Sequence, residues 1–133
     1  MKQHAYSSKH YLAEDATGED GGKIVRLTYD DGYKSSVPLS VFRRDFRQNG
    51  ELSFGDALVA LESGKRVARS GWNGKGMWLK FIEPHNYNVT DYNALGYEKR
   101  PFIIMRDAVG AIVPWLASQT DVLAKDWSVL DQD

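Results

Sequence analysis

The sequence predicts an α+β fold, with an antiparallel sheet and two short helices, preceded by a small N-terminal module of a hairpin and a helix. Short segments in which apolar and polar residues alternate are bounded by turn residues, which is the pattern of half-buried strands. Two Ser-x-x-Asp sequences resemble capping boxes at the starts of helices. In the second part of the chain the predicted order is helix, four strands, helix, strand, which favours an antiparallel sheet.

The N-terminal module is predicted to span residues 1–50. Residues 1–22 are polar and end in Thr-Gly-Glu-Asp-Gly-Gly, which indicates a flexible link. The elements expected after it are a strand, a turn, a return strand and a short helix, at Lys23–Tyr29, Asp30–Gly32, Tyr33–Val37 and Pro38–Gln48. Ser40 is a plausible cap for that helix.

Residues 51–133 are predicted to form the main domain. Its elements with firm sequence signals are a helix capped by Ser53, strands at Met77–Ile82, Phe102–Met105 and Ile112–Val113, a helix capped by Ser118, and a strand at Trp127–Leu130. Gly64 has the position of a helix C-terminal cap. Pro84–Arg100 reads as a long polar loop, whose Tyr87, Tyr92 and Tyr97 suit either a lid or an oligomer contact.

Composition excludes several classes of function. The chain of 133 residues has no cysteine, which removes disulfides, thiolate metal sites and cysteine catalysis. Its net charge of -1 does not indicate binding to polymeric nucleic acid, which depends on positive charge to neutralise phosphates. No apolar run is long enough to span a membrane, and the N-terminus lacks the apolar segment of a secretory signal. His4, His10 and His85 are not at ligand spacing, and no catalytic pattern of paired carboxylates or Ser-His-Asp is present.

The segment SGWNGKGMW, residues 70–78, combines two tryptophans with a loose glycine-rich backbone. One interpretation is a tight hairpin whose tryptophans pack inward. The other is a stacking platform, in which Trp72 presents a flat face, the glycines let the backbone approach a ligand, and Lys75 adds a positive charge. The spacing is not that of a Walker loop, because no Lys-Ser or Lys-Thr pair follows the glycines.

The segment VPWLASQTD, residues 113–121, raises the same two alternatives. It can be a strand end that leads into a capped helix, with Ser118 and Asp121 engaged in capping. It can also be a binding edge, where Trp115 precedes a helix N-terminus and Thr120 and Asp121 contact a ribose or a base.

Residues 52–130, with the motifs GWNGKGM and VPWLASQTD and a closing DW, resemble the second Thoeris anti-defence family. The resemblance implies a non-catalytic phage protein that acts in the cytoplasm of the infected bacterial host. It implies a sponge that binds and sequesters cyclic ADP-ribose isomers such as glycocyclic ADP-ribose, and so blocks Thoeris effector activation. Some members of the family also hold the cyclic di- or trinucleotides of CBASS defence. The resemblance further implies a homo-oligomer, dimer or tetramer, with no cofactor or metal.

Carried over to this chain, the resemblance implies a binding site in the two tryptophan segments. Trp72, Asn73 and Trp115 are the first expected contacts, and Thr120 and Asp121 are expected at the ribose or base. The expected pyrophosphate contacts are Arg69 and Lys75, whereas Trp78 is assigned to the core or to an interface. Two alternatives remain open: a phage structural or adaptor domain whose tryptophans serve assembly, and a small enzyme that degrades the same nucleotide.

Overall fold

The computed structural model describes residues 2–6, 10–86, 96 and 98–131. Within these ranges the chain forms two five-stranded antiparallel sheets and three α-helices, two of which are short. The α+β class is therefore confirmed. Tyr87, Tyr92 and Tyr97, which suited a lid or an oligomer contact, lie outside the described residues.

The N-terminal sheet has the strand order β4-β3-β2-β1-β5, and every neighbouring pair is antiparallel. Its strands are β1 (Lys2–Tyr6), β2 (His10–Thr17), β3 (Lys23–Tyr29), β4 (Lys34–Pro38) and β5 (Arg47–Gln48). Helix α1 (Leu39–Asp45) packs on one face, where Phe42 joins a buried cluster of small and medium apolar side chains from β1, β2 and β3. The hairpin and helix predicted here are present.

Two predictions for this module were wrong in detail. The stretch at residues 17–22 is not a flexible link but the end of β2 and a tight turn, in which the Gly18 N–H donates to the Gly22 carbonyl at 2.7 Å. The polar residues before it contain β1 and most of β2, which were not predicted. Ser40 does not cap α1, since the capping position is Pro38 and no side chain caps the helix. The helix also ends early, because β5 leaves it to pair with β1.

The C-terminal sheet has the strand order β10-β6-β7-β8-β9, again antiparallel throughout. Its strands are β6 (Val67–Arg69), β7 (Trp78–Ile82), β8 (Phe102–Arg106), β9 (Ile112–Pro114) and β10 (Trp127–Val129). Helix α2 (Phe54–Glu62) precedes β6, a single 3₁₀ turn (Pro84–Asn86) follows β7, and α3 (Gln119–Leu123) lies between β9 and β10. The predicted order of helix, four strands, helix and strand is confirmed.

Helix α2 begins and ends as its local sequence predicts. The Ser53 hydroxyl accepts from the Asp56 N–H at 3.2 Å, and the Asp56 carboxylate accepts from the Ser53 N–H at 3.0 Å, which completes a capping box. At the other end Gly64 has φ of 89°, and the N–H groups of Gly64 and Lys65 donate to Leu61 and Ala60. These bonds form a Schellman motif, which requires the left-handed conformation that glycine adopts without strain.

The chain passes from the first sheet directly into the core of the second. The Asn49 side chain both donates to and accepts from the Val129 backbone, at 3.0 and 2.7 Å. Leu52, which is fully buried, forms a bridge with Trp127 and belongs to the same apolar cluster as Leu61 and Leu79. The segment between the two sheets is therefore a structural part of the C-terminal unit.

Candidate functional site

Four aromatic rings meet at one end of the C-terminal unit. Trp127 is fully buried at the centre. Trp72 and Trp115 meet it nearly edge-on, with ring centroids 5.4 and 6.3 Å away and interplanar angles of 83° and 86°. Phe54 of α2 contacts both Trp115 and Trp127, at 5.9 and 5.5 Å. Trp72 and Trp115 are only partly buried, so that each combines inward packing with an exposed portion.

The Trp72 ring is also anchored by a polar contact. Its indole Nε1–H donates to Oδ1 of Asp121 at 3.0 Å. The same oxygen accepts from Nη1 of Arg69 at 2.7 Å, while the other oxygen accepts from the Ser118 hydroxyl and backbone N–H at 2.8 and 3.3 Å. The backbone carbonyl of Asp121 accepts from Nε1–H of Trp127 at 3.0 Å. Asp121 therefore bonds two indoles and the first turn of α3.

Arg69 lies at the centre of a second set of bonds that reach the tryptophan loop. Its Nε donates to Oδ1 of Asp126 at 2.8 Å, in addition to its bond with Asp121. Oδ2 of Asp126 accepts from the Gly71 N–H at 2.7 Å and from the Ser70 hydroxyl at 3.3 Å. Arg69 thus binds the first turn of α3 through Asp121, and through Asp126 it is connected to the start of the loop and to the residue before β10.

Both carboxylates of this cluster are held in the ionised form. Burial by itself raises the pKa of Asp121, but hydrogen bonds from Trp72, Arg69 and Ser118 outweigh it and lower the pKa to about 2. The hydrogen bond from Arg69 lowers the pKa of Asp126, against a smaller opposing effect of burial. The pKa of Arg69 is raised by its bonds to these two carboxylates, that to Asp126 first. The cluster of one cation and two anions therefore keeps its charges at neutral pH.

The space beside the glycines of the loop at residues 70–78 is filled by other side chains of the protein. A Cβ at position 71 would lie 2.8 Å from a carboxylate oxygen of Asp126. A Cβ at position 74 would lie 2.4 Å from the Cβ of Ala108. Gly76 has φ of 75°, and its carbonyl accepts a hydrogen bond from Arg106 at 2.7 Å. The loose sequence is thus required for internal packing, which the sequence interpretation did not anticipate.

The remaining predicted residues lie at the surface around the cluster. Asn73 and Lys75 in the loop and Thr120 in α3 are exposed. Lys75 has no ion pair within the described part of the chain. Trp78 is partly buried on β7, and the Arg66 guanidinium lies 5.5 Å from its ring centre, which fits its assignment to core or interface.

Sequence reasoning missed several partners in and outside this cluster. Asp126, Arg106 and Phe54 were not predicted to support the tryptophans, although Asp126 is the acidic residue of the closing DW motif.

His4 and His10 of the N-terminal sheet form a contact that was not predicted, with Nδ1 and Nε2 2.6 Å apart, and Nδ1 of His10 lies 2.7 Å from Asp30. No sequence signal links these residues, because strand pairing brings them together.

Two kinds of feature, a cluster of metal-ligating side chains and a membrane-spanning helix, are not found in the described ranges. Among those residues, no group of three or more histidine, aspartate or glutamate side chains is placed to hold a metal ion. No described helix is long and apolar enough to cross a membrane.

Three open depressions border the N-terminal sheet, with volumes of 380, 540 and 550 Å³. None of the residues predicted as ligand contacts lines them. Ligand sites combine apolar or aromatic walls with a few directed polar groups. The cluster of Trp72, Trp115, Trp127 and Phe54 has both, and it also contains or adjoins the residues that the sequence predicted as ligand contacts.

Comparison with known proteins places the cluster inside a family domain. Residues 52–130 match the family described as the Thoeris anti-defense 2-like domain. The chain is also 41% identical over 86 residues to Thoeris anti-defense 2 of Bacillus phage SP01, a match that covers 60% of this chain and 96% of that protein. The family match contains all four aromatic rings and the Arg69 cluster. The chain belongs to the Thoeris anti-defense 2-like family.

Proposed function

We propose that this protein is a non-catalytic phage anti-defence protein that binds and sequesters a cyclic ADP-ribose-type signal, and so blocks activation of a Thoeris effector. Family membership supports the anti-defence role. The observation that carries the binding role is the pair of partly exposed tryptophans, Trp72 and Trp115, packed against the buried Trp127. Indole faces stack on nucleobases, and this contact contributes about 1–3 kcal/mol per base.

The exposed polar groups nearest the tryptophans suit the rest of such a ligand. Lys75 supplies a positive charge that has no ion-pair partner among the described residues, and Asn73 supplies amide donors beside Trp72. Thr120 adds a hydroxyl in the first turn of α3. The sequence motifs also pointed to Arg69 and Asp121, and the side chains of both are engaged in hydrogen bonds inside the protein.

Sequestration without cleavage agrees with the electrostatics of the cluster. General acid-base catalysis needs groups whose pKa values are separated, with at least one near neutrality. The two carboxylates beside the described tryptophans, Asp121 and Asp126, both have lowered pKa values and share one arginine. These two carboxylates are suited to stabilising the fold of the site. A protein that sequesters a ligand needs to bind it tightly and does not need a catalytic acid or base.

We further propose that the protein functions as a homo-oligomer, dimer or tetramer. Apolar side chains are exposed on and beside the edge strand β9 of the C-terminal sheet: Phe102 is 40%, Ile112 53% and Leu116 91% exposed. Exposed apolar side chains on and beside the edge strand of the described sheet favour association. Light scattering that gives a monomer at micromolar concentration contradicts this part of the proposal.

The binding role is tested with a panel of nucleotides. The purified protein is incubated with glycocyclic ADP-ribose, other cyclic ADP-ribose isomers, and cyclic di- and trinucleotides, and is then separated from free ligand. Heat releases the bound fraction, which is identified by mass. Recovery of an intact cyclic ADP-ribose isomer supports the sponge, recovery of a cleavage product favours the enzyme alternative, and recovery of no nucleotide favours a structural or adaptor domain. A Trp72→Ala/Trp115→Ala double variant is the matched control.

A further inference from the structure

Helices α2 and α3 begin with the same set of contacts. In each, a serine at the N-cap and an aspartate three residues later form a capping box, and an arginine from outside the helix binds that aspartate. Arg47 binds Asp56 at 2.6 and 2.7 Å, and Arg69 binds Asp121 at 2.7 Å. The two sets differ in two ways: Arg47 binds Asp56 through two bonds where Arg69 binds Asp121 through one, and Asp121 also accepts the indole N–H of Trp72.

We infer that Asp121, held in place by Arg69, is a positioning residue that sets the orientation of the Trp72 ring rather than a ligand contact. The inference rests on the proposed function, because ring orientation affects binding only if a base stacks on Trp72. In this role Asp121 affects ligand binding indirectly, by fixing the ring on which the base stacks.

The acceptor capacity of Asp121 supports this assignment. A carboxylate has about four lone-pair sites on its two oxygens. Each oxygen of Asp121 already accepts two hydrogen bonds, from Trp72 and Arg69 on Oδ1 and from the hydroxyl and N–H of Ser118 on Oδ2. No lone pair is left for a ribose hydroxyl without breaking one of these bonds.

The geometry of the loop explains why the position of Trp72 depends on these bonds. The indole is held by its N–H on Asp121 and by its edge against Trp127, which together restrict both side-chain torsions. The backbone just before it is held by the bond from Gly71 to Asp126. A ring fixed before binding loses little conformational entropy when a base stacks on it, so preorganisation raises affinity.

The test reads the indole directly, without any ligand. The chain has four tryptophans, so a ¹H–¹⁵N spectrum has four indole N–H signals, and Trp72→Phe assigns the one from Trp72. In the wild-type protein this proton is expected to exchange with water more slowly than that of a free indole. Asp121→Ala is expected to shift the Trp72 signal and to raise its exchange rate by about ten- to hundredfold, the effect of losing a hydrogen bond to a charged group. Asp121→Asn keeps an acceptor oxygen and is expected to retain most of the protection.

Asp56→Ala is the matched control, because it removes a capping box and an arginine pair of the same kind, and none of the described hydrogen bonds of Asp56 reaches a tryptophan. Its Trp72 signal is expected to stay at the wild-type position. An equal change in Asp56→Ala overturns the inference, since the effect is then general destabilisation. A wild-type Trp72 proton that exchanges as fast as a free indole also overturns it, and that measurement holds even if Asp121→Ala fails to fold.

Binding of the nucleotide recovered from the panel completes the test. Asp121→Ala is expected to lose about tenfold or more in affinity. Asp121→Asn is expected to recover most of that loss, and Asp56→Ala is expected to bind as the wild type does. A failure of the wild-type protein to bind any nucleotide defeats the proposed function, while the exchange data still decide whether Asp121 orients Trp72. Loss of affinity in Asp121→Asn together with a protected, unshifted indole signal points to direct ligand contact and overturns the inference.

Discussion

Arg47, in the last strand of the N-terminal sheet, forms a two-point salt bridge with Asp56 in the first turn of α2, at 2.6 and 2.7 Å. The Asp56 side chain is only 4% exposed, so its charge depends on this partner and on the capping bonds of Ser53. Arg47→Ala is expected to lower the free energy of unfolding by about 1.5–3 kcal/mol, the usual contribution of a hydrogen bond to a charged group.

Arg44→Ala is the control for that measurement, because Arg44 binds Asp45 at an exposed surface and such pairs contribute about 0–1 kcal/mol. Urea denaturation of the two variants and the wild type gives the comparison. Equal stabilities for Arg47→Ala and Arg44→Ala would show that the bridge between the two units does not stabilise the fold.

Trp72→Ala and Trp115→Ala are each expected to weaken ligand affinity about ten- to hundredfold, because each removes one stacking face. Each costs less stability than Trp127→Ala, which is expected to lose about 3–5 kcal/mol as a fully buried residue. Melting curves with and without a cyclic ADP-ribose isomer separate the two effects, since a ligand of the native state raises the melting temperature. A Trp72→Ala protein that melts far lower yet keeps the full ligand shift would assign this tryptophan to packing alone.

Gly74→Ala is expected to destabilise the protein by about 1–3 kcal/mol, because its Cβ would meet the Cβ of Ala108 at 2.4 Å. Gly55→Ala is the matched control, and it is expected to stabilise the protein. Gly55 lies in α2, the nearest atom to its added Cβ is 3.6 Å away, and alanine in a helix is favoured over glycine by about 0.5–1 kcal/mol. Thermal unfolding shows whether each variant is more or less stable than the wild type. A Gly74→Ala protein with wild-type stability would refute the packing role of this glycine.

The acid sensitivity of the protein is expected to depend on Asp121. Its folded pKa of about 2 lies below the ordinary value of 3.8, so the ionised group stabilises the fold above pH 4 and this contribution disappears as the pH falls towards 2. Asp121→Asn cannot titrate here, so the stability difference between wild type and variant should narrow by about 2 kcal/mol between pH 5 and pH 2. Denaturant unfolding across this range checks it, and a constant difference would mean that the carboxylate is not stabilised in the folded state.

The boundary between the two units can be tested by truncation. We predict that residues 1–50 are dispensable for ligand binding, so fragments that begin at residues 49 and 51 should both bind. The shorter fragment is expected to be less stable by about 1–3 kcal/mol, because it lacks the two hydrogen bonds between Asn49 and Val129. Calorimetry of the two fragments provides the measurement. A folded longer fragment without nucleotide affinity would show that the N-terminal sheet contributes to the site.

The sequence by itself determined the features that depend on neighbours a few residues apart. The capping boxes of Ser53 and Ser118, the glycine cap at Gly64 and the alternating strand Lys23–Tyr29 are all present where their patterns predict them. The partners in each case lie within one helical turn or one strand, so that local chain geometry settles the outcome.

Tertiary structure alone decided the features whose partners are distant in the chain. Strand β1 was not predicted, because its polar sequence lacks the alternation of apolar and polar residues that indicates a strand. It forms because its backbone groups pair with β2 and β5, which are distant in the chain or on the other side of a turn. Likewise, the bond between Arg69 and Asp121 joins residues 52 positions apart in the chain, so no local pattern indicates it. A charged side chain binds whichever opposite charge the fold places beside it, and burial makes that pairing obligatory. The two tryptophan motifs were visible in the sequence, but only the packed structure placed both against Trp127 and fastened Trp72 to Asp121.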